Sequence, residues 1–447
     1  MQKKNTTDMT TGGILSHILI FAIPLFIGNI FQQCYNIVDT AIAGHFLGDD
    51  ALASVGATST LCSLIIGFSC GMNNGYAIVF GQLYGGKKHK EMKNAIGISL
   101  VLNVILIGLM TSGTLIGLRP LLHVMNVPMS VFSRAYSYIF LVFAGLGATM
   151  LYNLEAGIMR ALGNSRVPLY FVICSSVLNA GFNVFNILVL HMDVEGLALG
   201  TVCAQVCCVV GCFIYMKKAY PELHLTKGDF MMNREMAGNL LTSGFAMSFM
   251  YSLFNIGSVI LQSGINKLDE SIITAHTAAR RILEVFLQPF ATLATATSTF
   301  VSQNYGAGKK KRIVRGMKIT CLSTLTWAAF CVVFIRIFGE SMIRMLTGSD
   351  NPVVITNAVM NLRINLYFFF FIGTLLIVRS SMQGYGQKIM PLFSSGIELV
   401  MKVFATIYLI PRFGYRGASF AEPITWLLCM MFLLVVLWFD RERLRES

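Results

Sequence analysis

Twelve long apolar stretches separated by short polar connections constrain this chain more than any other feature. Read between the charged loops, they run approximately over 14–43, 53–83, 94–118, 131–157, 167–190, 195–216, 237–265, 271–304, 317–338, 353–382, 389–410 and 416–438. A segment needs roughly 20 apolar residues to cross the hydrocarbon of a bilayer. Backbone groups there find no water and must pair within their own segment, which favours helices. The sequence therefore predicts an all-α membrane protein with twelve transmembrane helices. Only 12% of the 447 residues are charged, against about 25% in a soluble domain. The short connections leave no room for an attached soluble domain. The polar start Met1–Gly13 leads into a first segment too long for a signal-peptide core, so the first span is expected to stay as an anchor.

A net charge of +13 raises the question of nucleic acid, and the distribution of the basic residues answers it. With the N-terminus inside and loops assigned alternately, 23 of the 34 Lys and Arg residues fall on the cytoplasmic side and 8 on the outer side. The cytoplasmic set includes Lys3, Lys4, Lys87–Lys93, Arg160, Arg166, Lys217–Arg234, Lys309–Lys318, Arg379, Lys388 and Arg441–Arg445. Arg280, Arg281 and Lys402 lie inside apolar runs. This is the positive-inside bias of a plasma (inner) membrane protein with both termini cytoplasmic, and no nucleic-acid partner is expected. The 11 cysteines fall almost entirely within apolar runs without a CxxC pair beside a histidine. They are expected to behave as small buried hydrophobes rather than metal ligands.

Internal repetition divides the chain. QLYGGKKHK from Gln82 recurs as QNYGAGKKKR from Gln303, and RALGNSRVPL from Arg160 recurs as QGYGQKIMPL from Gln383. VEGLALG around Gly196 recurs as YRGASFA around Gly417. The offsets are 221, 223 and 221 residues, the mark of a duplicated architecture. The expected organisation is an N-lobe over 1–216, a cytoplasmic linker over 217–236 and a C-lobe over 237–447. Six spans per lobe give both halves the same orientation, hence two pseudo-symmetric six-helix lobes around a central cleft and a path opened by alternating access.

The chemistry of an enzyme is not legible. The nearest phosphate-loop lookalike, GAGKKK at Gly306, has Gln303 where the first glycine belongs and Lys310 where Ser or Thr would hold magnesium. The seven histidines are dispersed, and no nucleophile stands with a base and an orienting acid. A transporter or channel driven by an existing gradient remains, with no cofactor beyond a transported H⁺ or Na⁺.

Charges inside spans are then the informative positions, since one at the bilayer centre costs at least about 2.5–3.5 kcal/mol. Five acids qualify: Asp39, Glu155, Glu284, Glu398 and Glu422. Asp39 lies one turn from Tyr35 and Asn36, and no Lys or Arg occurs between Lys4 and Lys87. It is suited to take a proton or to ligate Na⁺ as a hard oxygen donor. Asn179 and Asn183 share a helix face four residues apart, and Thr201 lies in the following span; all three offer side-chain oxygens, or else plain interhelical contacts. Arg280 and Arg281 precede Glu284, and Glu398 precedes Lys402 by four. These i,i+4 pairs either line the cleft as a moving charged network or tie helices together. Glu155 and Glu422 read as interfacial.

The whole chain resembles the multidrug and toxic compound extrusion (MATE) family, within the wider multidrug/oligosaccharidyl-lipid/polysaccharide flippase superfamily. The resemblance is carried by IPLFIGN from Ile23, VDTAIAGHFLGDDALASVG from Val38, the QLYGGKK and QNYGAGKKKR loops, RALGNSRVP from Arg160 and VEGLALGT from Val194. It implies twelve helices in two lobes, a V-shaped cleft, and efflux of organic cations in exchange for Na⁺ or H⁺. It also implies that Asp39 is the first-span acid, and that Tyr138, Asn179, Asn183 and Thr201 form the polar cluster around it. Members with a second acid in this lobe carry Asp where this chain has Asn183, which weakens the case for Na⁺ relative to H⁺. The seventh span lacks the acid of some relatives, leaving Glu284 to take part of a C-lobe role. The expected function is export of lipophilic organic cations and other xenobiotics by a monomer in the bilayer. The alternatives are export of a dedicated metabolite or peptide, and flipping of a lipid-linked precursor.

Overall fold

A computed structural model describes residues 6–125, 127–348 and 350–440. Among the basic residues assigned to the cytoplasmic side, Lys3, Lys4, Arg441, Arg443 and Arg445 lie outside the described residues. Fourteen α-helices account for nearly all of the rest, and no strand occurs among the described residues. They are α1 Ile14–Ile42, α2 Asp49–Gly85, α3 His89–Val124, α4 Met129–Ala144, α5 Leu146–Ala161, α6 Arg166–Leu188 and α7 Val194–Ala219. They continue as α8 Arg234–Ile265, α9 Glu270–Gly306, α10 Lys310–Thr347, α11 Pro352–Tyr367, α12 Phe369–Gly384, α13 Ile389–Phe404 and α14 Ile410–Phe439.

Among the described residues eight helical stretches can each cross a membrane by length and composition, and up to ten if two bent pairs count as single spans. The bent pairs are the expected fourth and tenth spans. α4 and α5 meet at Gly145 with a 42° bend, and α11 and α12 meet at Phe368 with a 49° bend. The last two expected spans run through a π-helical turn, Ala405–Leu409, and divide at Gly414 (φ 57°, ψ −138°), inside the interval left between them. A left-handed φ interrupts the helix there at little cost only because the residue has no Cβ.

Two compact units emerge. One comprises Met1–Asp8 with Ile23–Ser248, the other Met9–Ala22 with Phe249–Ser447. In the first unit, Tyr76, Phe80, Met92 and Ile98 pack with Leu154, Met159 and Leu240, joining α2, α3, α5 and α8. In the second, Ile265, Ala405, Tyr415 and Ala418 form a buried cluster. The second unit also holds the segment before α1. Arg312 donates Nε to the Met9 carbonyl, Nη2 to Thr11 and Nη1 to Gly12, while Asn304 also donates to Met9.

The repeated sequence loops have repeated backbones. Lys87, closing α2, and Gly308, closing α9, both adopt positive φ, 56° and 72°. Gly163 after α5 and Gly386 after α12 do so as well, at 79° and 93°. Each ends a helix with the left-handed residue that lets terminal carbonyls find donors. The flanking helices match in length: α2 and α9 have 37 residues each, and α4, α5, α11 and α12 have 16 each.

The cysteine expectation needs correction. Cys208, Cys212, Cys331 and Cys429 are buried, but Cys34, Cys174 and Cys207 lie on exposed helix faces. They sit among apolar residues because such a helix is apolar on its outer face too, so an apolar run does not by itself mean burial inside the protein.

The segment between α7 and α8 is folded. A 3₁₀ turn, Lys227–Phe230, is capped reciprocally: the Asp229 carboxylate accepts from the Thr226 backbone N–H and hydroxyl, both at 2.7 Å. These bonds, with Lys93 at 3.3 Å, hold the Asp229 carboxyl below its ordinary range. Asn94 of α3 donates to the Asp229 and Met231 carbonyls, and a Cβ on Gly97 would meet the Asp229 carbonyl oxygen at 2.4 Å. We expect Gly97→Leu to lift this turn from α3, at an overpacking cost of about 1–3 kcal/mol. Trypsin cleavage after Lys227 should then accelerate by roughly 5- to 150-fold, read by limited proteolysis. Because the folded pKa is depressed, the contribution of Asp229 is complete above the ordinary carboxylate range and is lost as pH falls through the lowered value.

Candidate functional site

The first unit gathers polar side chains from three helices around Asp39. Tyr35 and Asp39 lie one turn apart on α1, Asn179 and Asn183 one turn apart on α6, and Thr201 stands on α7. Asn183 Nδ2 donates to Asp39 Oδ1 at 2.7 Å and to Asn179 Oδ1 at 3.1 Å. Asn179 Nδ2 donates to Thr201 Oγ1 at 3.1 Å, and the Thr201 hydroxyl donates to the Leu197 carbonyl at 3.0 Å. The Tyr35 hydroxyl lies 3.1 Å from Thr201 Oγ1 and also hydrogen-bonds the Asp39 carboxylate.

The network fixes the amide of Asn183. Both Nδ2 hydrogens have acceptors; turned over, Oδ1 would face the Asp39 carboxylate at 2.7 Å with no proton between them. The cost of this orientation is visible. Asn183 Oδ1 is buried without a partner, lying where a Cβ on Gly200 of α7 would approach it to 2.0 Å. Asn179 and Asn183 are buried at 1% and 0% exposure, while Asp39 keeps a half-open face. Among the described residues Asp39 has no ion pair. Its charge is met by amide and hydroxyl dipoles, an arrangement that leaves room for one added positive charge, a proton or a hard cation. Tyr138 of α4 stands beside this cluster, against the apolar group of Ile42, Ala43, Ile187 and Leu197, and makes no hydrogen bond to its five members.

The charged residues of the second unit separate into two groups. Arg280 Nε lies 3.0 Å from Glu284 Oε1, with Arg281 at 3.9 Å from its other oxygen, and these side chains are 40–72% exposed. Glu398 and Lys402 of α13 are instead buried and 3.2 Å apart. Lys402 also reaches Ser258 Oγ at 3.2 Å and stands over the Phe254 ring at 4.3 Å. Arg379 joins them, its Nη1 3.7 Å from Glu398. Arg379, counted by loop with the cytoplasmic set, lies within α12 at 9% exposure. The signal was present, because the tenth span drawn from apolar residues runs past position 379. Glu155 of α5 has a buried carboxylate oxygen without a partner. The sequence sets Tyr35 beside Asp39 without assigning it to the cluster, and Gly200 escaped the sequence reading. The first was legible as the residue one turn before Asp39 on the same face, whereas the second needed the packing of α7 on α6.

We expect Gly200→Ala to drive a methyl into Asn183 and destabilise the protein by about 1–3 kcal/mol, lowering the melting temperature of the purified protein. Gly181→Ala, on α6 with open space at its Cβ, should leave it unchanged or raised.

The chain matches known proteins along nearly its whole length. The family model MatE matches twice, over residues 24–185 and 246–407, so its copies begin 222 residues apart, in step with the repeats. A probable multidrug resistance protein, YpnP of Bacillus subtilis, is 24% identical over 95% of this chain and 96% of that protein. The multidrug export protein MepA of Staphylococcus saprophyticus is 19% identical over 96% and 95%. Among solved structures, a MOP superfamily transporter from Pyrococcus furiosus superposes with TM-score 0.90 at 21% identity, over 99% of this chain and 100% of that one. An outward-facing multidrug resistance MATE family transporter gives 0.88 at 22%, over 98% of each. With the family model spanning most of both halves, the chain belongs to the MatE family of multidrug and toxic compound extrusion proteins, multi-pass membrane transporters and not enzymes.

Proposed function

We propose that this protein exports lipophilic organic cations and related xenobiotics in exchange for protons, by alternating access. The observation that carries the reading is Asp39: a carboxylate in the first span with no ion pair, held by an amide N–H at 2.7 Å and one turn from Tyr35. A charge there is costly in a bilayer, so binding and release of a cation changes the energy of the site enough to couple to a second solute. The multidrug relatives supply the solute class.

Protons fit this donor set better than Na⁺. A sodium site needs several oxygens converging on the ion, yet Asn183 turns N–H groups, not Oδ1, toward Asp39. With Asn rather than Asp at 183, Asp39 is the cluster's only formal charge. No resident cofactor is needed. The architecture we infer is twelve spans in two pseudo-symmetric six-helix lobes, 1–216 and 237–447, joined by 217–236. Ten come from the apolar stretches and bent pairs; α9 and a division of the last long element at Gly414 supply the others. The basic loop clusters at Lys87–Lys93 and Lys309–Lys318 support cytoplasmic termini in the plasma membrane, and one chain carries the whole apparatus as a monomer.

In efflux-deficient cells the wild type should lower ethidium retention. Asp39→Asn should retain ethidium as empty vector does, while reaching the membrane fraction at wild-type level. A protonophore should abolish export and replacement of Na⁺ by K⁺ should not; the reverse pattern would assign Na⁺. Normal export by well-expressed Asp39→Asn would overturn the role of Asp39, and no export by the wild type would favour a dedicated solute.

A further inference from the structure

Within the second unit, α11 and the end of α10 far from its lysine-rich start enclose an open cavity of about 500 Å³. Glu340 and Arg344 of α10, Asp350 between the helices, and Arg363 and Tyr367 of α11 line it. Its charges are unevenly satisfied. Arg344 takes both carboxylates, Glu340 at 3.0 Å and Asp350 at 2.8 Å. Arg336, one turn before Glu340, reaches only the Tyr367 hydroxyl, its Nη1 donating at 3.0 Å. Arg363, one turn from Tyr367 on α11, has neither a hydrogen bond nor an ion pair among the described residues. With Arg336 counted, three arginines stand against two carboxylates, which leaves one positive charge over.

Arg336, Arg363 and Tyr367 together offer donors. Each guanidinium carries five N–H groups and no acceptor, and the Tyr367 hydroxyl, accepting from Arg336, keeps its own hydrogen to give. All three side chains are exposed, so an anion can reach them. Their depth selects the kind of anion. Arg336 stands at the outer end of the apolar stretch 317–338, the level where headgroups meet hydrocarbon. Beside and inward of it, α10 exposes Phe330, Val333 and Ile337 on one face at i, i+3 and i+7. A free anion would use the arginines and leave that apolar face idle. A phospholipid uses both.

We propose that Arg336, Arg363 and Tyr367 bind the phosphodiester of an anionic phospholipid, phosphatidylglycerol, whose acyl chains lie on the α10 face of Phe330, Val333 and Ile337. One negative headgroup neutralises the one positive charge left over, whereas a zwitterionic headgroup leaves it in place. The lipid is a bound partner of the second unit and not a transported solute, so the site goes beyond the export reading. The orientation proposed above puts it in the outer leaflet; binding in detergent depends on neither reading.

The test is native mass spectrometry of the purified full-length protein in detergent, titrated with dioleoylphosphatidylglycerol or dioleoylphosphatidylcholine. The wild type should bind the first at least about fivefold more tightly than the second, the scale of one arginine's attraction to an anionic headgroup. This comparison needs no variant to fold. The double variant Arg336→Gln, Arg363→Gln should weaken phosphatidylglycerol by about 30-fold, roughly fivefold for each arginine, and change phosphatidylcholine less than about twofold. Arg412→Gln, which removes an exposed charge of the same unit away from the cavity, should bind phosphatidylglycerol as the wild type does. Glycerol 3-phosphate at the concentration of the lipid should not displace it. Equal affinity of the wild type for both lipids, or undiminished phosphatidylglycerol binding by the double variant, would overturn the site. Displacement by glycerol 3-phosphate would overturn the lipid in favour of a free anion.

Discussion

The absence of water from the bilayer core is the constraint on which the rest depends. It requires each backbone amide to pair within its own helix, and it makes every charge inside a span expensive enough to need a reason. The fourteen helices answer the first demand. The second singles out a few residues.

The two halves share backbone design and differ in chemistry. The first unit surrounds one carboxylate with neutral amides and hydroxyls, from Asn179, Asn183, Thr201 and Tyr35. The second buries two cations with one carboxylate. A duplication that began with two equal copies has left an unpaired carboxylate in one half and two cations beside one carboxylate in the other.

Much of this was legible in the sequence, for identifiable reasons. Long apolar runs state the helical class because their length is set by the membrane. Asp39, Asn179, Asn183 and Thr201 stood out because polar residues in such runs are rare, and the structure brings these four into one hydrogen-bonded chain. The pairs Arg280–Glu284 and Glu398–Lys402 followed from helical periodicity. What stayed hidden depended on neighbours distant in sequence. The burial of Arg379 depends on α13, and the fit of Asn183 against Gly200 depends on α7. The bends at Gly145 and Phe368 interrupt apolar runs that show no polar break. Periodicity reports which face a residue shares, but not which helix comes to meet it.

The left-handed residues that close α2 and α9 carry a consequence for ancestry. Lys87 and Gly308 occupy equivalent turns with nearly the same φ, yet one is a lysine, the other a glycine. What the copies have kept is a torsion angle, not a letter, and a substitution survives wherever the new side chain tolerates the inherited dihedral. Resemblance measured by identical residues therefore decays faster than resemblance measured by turns. The spacing of helix-ending positions is a more durable record of the duplication than the amino acids that now fill them.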